Sequence, residues 1–141
     1  MNLQFVSATA DDIPVIFSQA KKLIDTYEDL TTIDYDKVIA WVERKISACI
    51  SQYTRVVLGD DTCAYFHLCE DGELDDLYVL PGFQNKGIGS EILRKAINDS
   101  QEPLYLYVFS RNEKAIAFYK RFGFSLREKV GTTRMILHRK G

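Results

Sequence analysis

Cysteine is scarce and odd in number, since Cys49, Cys63 and Cys69 cannot all pair, and none sits in a C-x-x-C or His-partnered spacing. That argues against a disulfide framework or a zinc site, and it predicts a reducing compartment. An excess of either charge is lacking too. Eighteen Lys and Arg against twenty Asp and Glu leave a net charge of -2, too weak a field to gather the protein on nucleic acid, so no nucleic-acid partner is expected. The chain contains no run of about eighteen apolar residues, and its opening MNLQFVSATADDIP has no basic segment followed by an apolar one. No membrane association is expected, and the predicted location is cytoplasmic. Repeats, low-complexity tracts and long linkers are also missing.

What is present suits one domain, 1–141. With 46% hydrophobic and 27% charged residues over 141 positions, such a chain buries about two-thirds of its unfolded surface. Asn2 to Val6 reads as a short strand, and Ser7 to Asp12 supplies capping chemistry ahead of Pro14. Apolar residues at helical spacing then predict one helix through about Leu30 and a second over Val38 to Ile50, with Trp41 beside its stripe. Tyr53 to Leu58, Thr62 to Leu68 and Glu73 to Leu80 read as an antiparallel meander. A helix over Ile88 to Asp99 follows. Leu104 to Phe109 reads as a strand buried on both sides, and Asn112 opens a helix that ends at Gly123. Phe124 to Leu126 and Arg134 to His138 complete a mixed α/β domain around one sheet.

The chemistry concentrates in Leu77-Tyr-Val-Leu-Pro-Gly-Phe-Gln-Asn-Lys-Gly-Ile-Gly-Ser90, a strand running through a loop into a helix. Gly87 and Gly89 let an oxygen approach the backbone, and the free amides of a helix start attract anions, as a pyrophosphate would require. Taken alone, the glycines fit a tight turn equally well. Two other phosphate motifs fail: no Gly-Lys-Ser/Thr occurs, and Ile92 stands where the dinucleotide fingerprint needs its third glycine.

Gln84-x-x-Gly87-x-Gly89 after Leu77-Tyr78-Val79 resembles the coenzyme A pyrophosphate loop of the GCN5-related N-acetyltransferases. Asn112-Glu-Lys-Ala115-Ile-Ala-Phe-Tyr119-Lys-Arg-Phe-Gly-Phe124 is similar to that family's second signature, and the resemblance is close from 74 to 126. It implies a mostly antiparallel central sheet whose fourth and fifth strands splay apart, with flanking helices. It also implies acetyl-coenzyme A as cofactor, contacted by Leu77, Tyr78, Val79, Gln84, Asn85, Lys86, Gly87, Ile88, Gly89, Ser90, Asn112, Ala115 and Tyr119.

In that frame the Val79 amide would donate to the thioester carbonyl and stabilise an oxyanion, the kind of preorganised donor worth about 3–4 kcal/mol. Tyr119 would be the general acid that protonates the departing thiolate. Leu74-Asp-Asp-Leu-Tyr-Val is similar to the corresponding strand of polyamine acetyltransferases. That similarity makes Asp75 the candidate base, acting through water, and Asp76 a holder of a cationic acceptor. Strand alternation places Glu73 and Asp75 on one face and Asp76 on the other, barring a bulge. Glu28 and Asp29 resemble the family's variable acceptor wall, and a solvated helix end explains them equally.

Cys63 and Cys69 have no suitably spaced histidine to activate them, so a covalent acetyl-enzyme is not expected. His67 reads as a core or surface imidazole, although the acceptor cleft is within its reach. No metal is implied. The expected reaction is acetyl transfer to a primary amine, a small cationic one such as a polyamine or aminoglycoside, drawn by the acidic residues at 70, 71, 73, 75 and 76. A protein or peptide amine is the alternative acceptor, and an acyl-coenzyme A sensor without turnover is the alternative function. Homodimers are common in the family, but nothing in the sequence specifies one.

Overall fold

The computed structural model describes residues 1–140. Strand β1 (Leu3–Ser7) leads through one 3-10 turn into α1 (Ile13–Tyr27), and α2 (Tyr35–Cys49) follows. The meander is β2 (Thr54–Leu58), β3 (Asp61–Leu68) and β4 (Leu74–Val79). After it come α3 (Ile88–Asp99), β5 (Tyr105–Phe109), α4 (Glu113–Arg121), β6 (Phe124–Val130) and β7 (Arg134–Arg139). The order of elements is the one read from the sequence. Two ends moved: α1 stops at Tyr27, short of Leu30, and β6 runs on to Val130, past Leu126.

The starts of the helices follow from their sequences. Asp12 accepts the Thr9 amide at 2.8 Å before Pro14 in the first turn of α1, and Asp34 caps α2 by accepting the Lys37 amide. In α1 the buried residues Ile16, Ala20 and Ile24 form one stripe, and in α3 Ile88, Ile92, Leu93 and Ala96 do the same.

The expected single sheet is two hydrogen-bonded ladders. One has the order β1-β2-β3-β4 and the other β5-β7-β6, with every ladder pairing antiparallel. A single parallel bridge, Glu73 to Tyr105, joins them. At that joint Gly72 has φ +97°, and a β-carbon there would lie 2.4 Å from the Pro103 carbonyl oxygen. Only glycine lets the two backbones come this close. Beyond the joint β4 and β5 part, which is the splay the family resemblance implied.

Two cores lie on opposite faces. Ala64, Phe66 and Leu74 pack with α3 and with Leu106, Val108, Phe124 and Leu137, while Tyr53, Tyr65 and Tyr78 pack with Ile16, Ala20 and Ile46 of α1 and α2. Ile92 and Leu93 are fully buried, so truncating either to alanine would cost about 2–5 kcal/mol. Strand β5 is not buried on both sides as expected: Leu106 and Val108 face the core, but Tyr107 on the other face is 46% exposed. The strand therefore has one open face on the side of α1 and α2.

Candidate active site

Helix α3 begins at Gly87, whose φ of +83° is left-handed, and no side chain caps it. Glu91 donates to the Gly87 carbonyl, leaving the amides of Ile88, Gly89 and Ser90 without intrahelical acceptors. The Ile88 side chain is buried and anchors the loop from inside, the Gly87 backbone lies on the exposed outer surface, and the Gly89 α-carbon faces inward to Phe118 and Val79. A β-carbon at Gly87 would meet nothing nearer than the Met1 methyl at 3.7 Å. Asn85 is also left-handed, at φ 62°. Lys86 extends over the Phe83 ring at 5.8 Å and is free to meet an anion. Unsatisfied amides, an open glycine surface and a helix dipole together fit a pyrophosphate.

The loop abuts the opening between the strands. Leu80 donates to Cys63 at 2.9 Å, and this fixes the alternation so that Leu77 and Val79 turn their amides and carbonyls away from β3 and toward β5. On the opposite lip, Ser110 donates to Thr133 and Arg139 to Leu104, which by the same logic turns the backbone of Tyr107 and Phe109 toward β4. Beyond the Glu73–Tyr105 bridge no ladder joins these lips among the described residues. One exposed group is used: Gln84 Nε2 donates to the Val79 carbonyl at 3.0 Å, tying the glycine loop to the gap. The Val79 amide remains as a donor aimed into it.

At the start of β4 the structure departs from simple alternation. Leu74 pairs with Leu68 and Asp76 with His67, leaving Asp75 as the extra residue of a β-bulge. The bulge swings Asp75 onto the same face as Asp76, contrary to the alternating expectation. Lys45 Nζ from α2 lies 2.7 Å and 2.6 Å from the two Asp75 oxygens, and His67 Nδ1 lies 3.1 Å from Oδ2. The other His67 nitrogen meets Gln52 Oε1 at 3.1 Å, and its ring packs on Tyr53. Asp76 accepts from the Tyr53 and Tyr78 hydroxyls.

These surroundings set the acidities. Burial opposes ionisation of Asp75, yet the hydrogen bonds from His67 and Lys45 outweigh it and hold the carboxyl below its ordinary range. Burial and the Asp75 charge push Asp76 up. Burial and Asp75 also raise Glu73, whose carboxylate receives no hydrogen bond among the described residues. Asp71 is taken by the Tyr105 hydroxyl and the Glu73 amide. Contrary to the expectation that no histidine is placed to activate it, Cys69 Sγ lies 3.7 Å from His67 Nε2; burial, with the neighbouring carboxylates adding to the effect, pushes its thiol up to about 11, which favours the protonated form.

Tyr119 is half-buried on α4 against Phe118 and Phe124. Burial, then the Asp76 charge, raises its pKa, and no protein group hydrogen-bonds its hydroxyl among the described residues. Asn112 caps α4 by accepting the Ala115 amide at 3.2 Å, and Ala115 packs against the core. Glu28 and Asp29 follow α1, where the Asp29 carboxylate closes a turn by accepting the Thr31 amide and hydroxyl. Tyr27 stacks on Phe109, so this corner sits at the far end of β5 from Glu73. The strand separates those two points by about 13 Å at 3.3 Å per residue. The two sets of acidic candidates are therefore not one cluster.

Sequence reasoning missed Lys45, Gln52 and Tyr53. Lys45 lies four residues after Trp41, with its ammonium 5.8 Å from that ring, but no local pattern indicates that α2 carries it to β4. His67 was read as core or surface, and it is core, at 3% exposure.

The fold is shared with solved N-acetyltransferases. PaiA N-acetyltransferase of Thermoplasma acidophilum, solved with coenzyme A, matches over all of both chains with a TM-score of 0.73 at 18% identity. The putative acetyltransferase YncA of Salmonella typhimurium, solved with acetyl-coenzyme A, matches all of this chain and 96% of its own with a TM-score of 0.63 at 18% identity. The chain belongs to the acetyltransferase (GNAT) family, whose sequence model matches residues 21–124.

Among curated proteins, an uncharacterised N-acetyltransferase of Methanocaldococcus jannaschii is 38% identical over 72 residues, which is 48% of this chain and 32% of that protein. Mouse thialysine N-epsilon-acetyltransferase is 37% identical over 54 residues, 36% of this chain and 32% of its own. The chain thus spans about a third of the length of these relatives. No helix among the described residues is long and apolar enough to cross a membrane.

Proposed function

We propose that this protein transfers an acetyl group from acetyl-coenzyme A to the primary amine of a small molecule. The observation that carries the reading is the continuity of the uncapped α3 N-terminus with the β4/β5 gap, through the Gln84 to Val79 hydrogen bond. The amides of Ile88, Gly89 and Ser90, with Lys86 beside them, suit the pyrophosphate, and the lips of the gap suit an extended amide-bearing arm. Asn85, Asn112 and Ala115 line the approach. When bound, acetyl-coenzyme A supplies an acyl group activated as a thioester.

The protein's own groups then have distinct tasks. The Leu77 and Val79 amides both face the gap, and that of Leu77, the nearer to Glu73 along β4, is the fixed donor for a carbonyl oxygen that gains charge. Glu73, free of partners and raised in pKa, takes the proton of the amine through water, a role for which Asp75 is less suited because Lys45 and His67 occupy its oxygens and lower its basicity. The C–N bond forms as the C–S bond breaks, and the Tyr119 hydroxyl gives its proton to the leaving thiolate. Its raised pKa keeps that proton in place at neutral pH.

The acceptor side is less acidic than composition implied, because Lys45 pairs with Asp75 and burial pushes Asp76 toward its neutral form, whereas Asp71 stays ionised and exposed. A small amine still fits, in keeping with the thialysine acceptor in the mouse relative's name. The Glu28 and Asp29 corner would form the outer wall of its path, in a location such as the cytoplasm where acetyl-coenzyme A is available. The test is a thermal-shift titration with acetyl-coenzyme A, coenzyme A, ATP and NAD, followed by thiol release with a panel of amines. Stabilisation by the coenzyme A species alone, with amine-dependent thiol release, is expected. Stabilisation without thiol release from any amine would favour a sensor, and no stabilisation would end the reading.

A further inference from the structure

We propose that Lys45 is an internal occupant of the acceptor site, its ammonium filling the place that a second positive charge of the acceptor would take. It thereby restricts the enzyme to amines that carry a single positive charge. The inference deepens the amine-acetylating reading above and rests on it.

Lys45 crosses from α2 to β4 and places its ammonium on both oxygens of Asp75, at 2.7 Å and 2.6 Å. The side chain is 30% exposed and leans over Trp41, which is 56% exposed, while Asp75 keeps only 13%. The ammonium therefore stands at the boundary between the buried network and solvent. An arriving cation would find few free acceptors there. The Asp75 oxygens are held by Lys45 and His67, those of Asp76 by Tyr53 and Tyr78, and those of Asp71 by Tyr105 and the Glu73 amide.

Of the carboxylates at 73, 75 and 76, Glu73 alone receives no hydrogen bond, enough for one ammonium. The distal ammonium of a diamine would have to approach Asp75, where an ammonium already sits, and like charges at that separation repel. An acceptor with one cationic amine and a neutral or anionic remainder meets no such conflict. The bulge is what commits Asp75 to this arrangement, since without it the carboxylate would face away from α2.

The test measures binding of butylamine and diaminobutane by calorimetry to the whole protein loaded with coenzyme A, so it requires no turnover. Wild type is expected to bind butylamine at least as tightly as diaminobutane. Lys45→Gln keeps a donor for Asp75 but removes the charge, and it should shift the ratio about tenfold toward the diamine, as uncovering a partly buried charge does. Lys45→Arg should hold the wild-type ratio, and so should Lys45→Met combined with Asp75→Asn, which leaves no carboxylate uncovered.

An unchanged ratio in Lys45→Gln, or failure of that variant to bind the diamine, overturns the inference. Wild type favouring the diamine by about tenfold overturns it without any variant. Absence of acetyl transfer to every amine tried, with these binding ratios as expected, would instead remove the catalytic reading.

Discussion

Gly87 and Gly89 flank one residue of the same loop, yet alanine at the two positions should have opposite effects. At Gly89 the backbone is helical, and an added β-carbon would sit 3.5 Å from Phe118 Cζ and 3.6 Å from Val79 Cγ2, ordinary contact distances on the inner side of the helix. The protein has room for it. Alanine is favoured over glycine in a helix by up to about 1 kcal/mol. In a domain of this size that raises Tm by about 4 °C.

At Gly87 the φ of +83° costs any L-residue about 1–2 kcal/mol, a fall in Tm of about 4–8 °C. Its β-carbon would point into the open space on the outer side of the loop, where the anion is proposed to lie. Gly89→Ala should therefore melt higher and keep coenzyme A affinity within about twofold. Gly87→Ala should melt lower and lose about tenfold or more, the equivalent of 1.4 kcal/mol. Thermal denaturation without ligand and a coenzyme A titration read both quantities. A Gly89→Ala protein that is less stable, or a Gly87→Ala protein that binds as wild type does, would refute the geometry assigned to this loop.

Tyr119→Phe removes the proton donor but keeps the ring between Phe118 and Phe124, so kcat should fall about 10²-fold while coenzyme A affinity holds; steady-state kinetics with a binding titration checks it. Because burial and Asp75 raise Glu73, and a base must be deprotonated, kcat/KM should rise with pH through a limb above the ordinary Glu value of about 4.3, and Glu73→Gln should abolish that limb in a pH–rate profile. Asp75, with its pKa depressed in the folded state, contributes stability that is present above its unfolded value of about 3.9 and lost as pH falls through the folded value. Asp76, raised in the folded state, does the reverse, so stability declines as pH climbs from about 3.9 through its folded pKa, and Asp76→Asn should flatten that decline in urea denaturation across pH.

The order of elements was legible because each element carries its own period. The α3 stripe, the Pro81–Gly82 break and the capping of α4 by Asn112 are all local facts, and the glycine loop is legible for the same reason: a left-handed residue and an unsatisfied helix start are properties of a few consecutive positions. The division of the sheet into two ladders was not local. It depends on Gly72 meeting Pro103, thirty-one positions away in sequence, and on two strands then diverging. The family resemblance conveyed the splay, which the strand pattern itself did not.

The surroundings of the acidic strand were hidden from the sequence for a more specific reason. Composition counts carboxylates, whereas chemistry depends on which of them lack partners, and one extra residue in β4 decided that. With Asp75 in the bulge, its carboxylate meets a lysine from α2, and the most conspicuous acidic pair in the sequence becomes an internal salt bridge beside a buried acid clasped by two tyrosines. The proposed base is instead Glu73, whose carboxylate receives no hydrogen bond among the described residues. Such an absence leaves no mark on a sequence, because it is set by what neighbouring elements fail to offer. On the proposed reading the acceptor's charge depends on Lys45 as much as on any carboxylate, so a helix read only for its buried stripe would contribute to specificity through a residue at the stripe's edge.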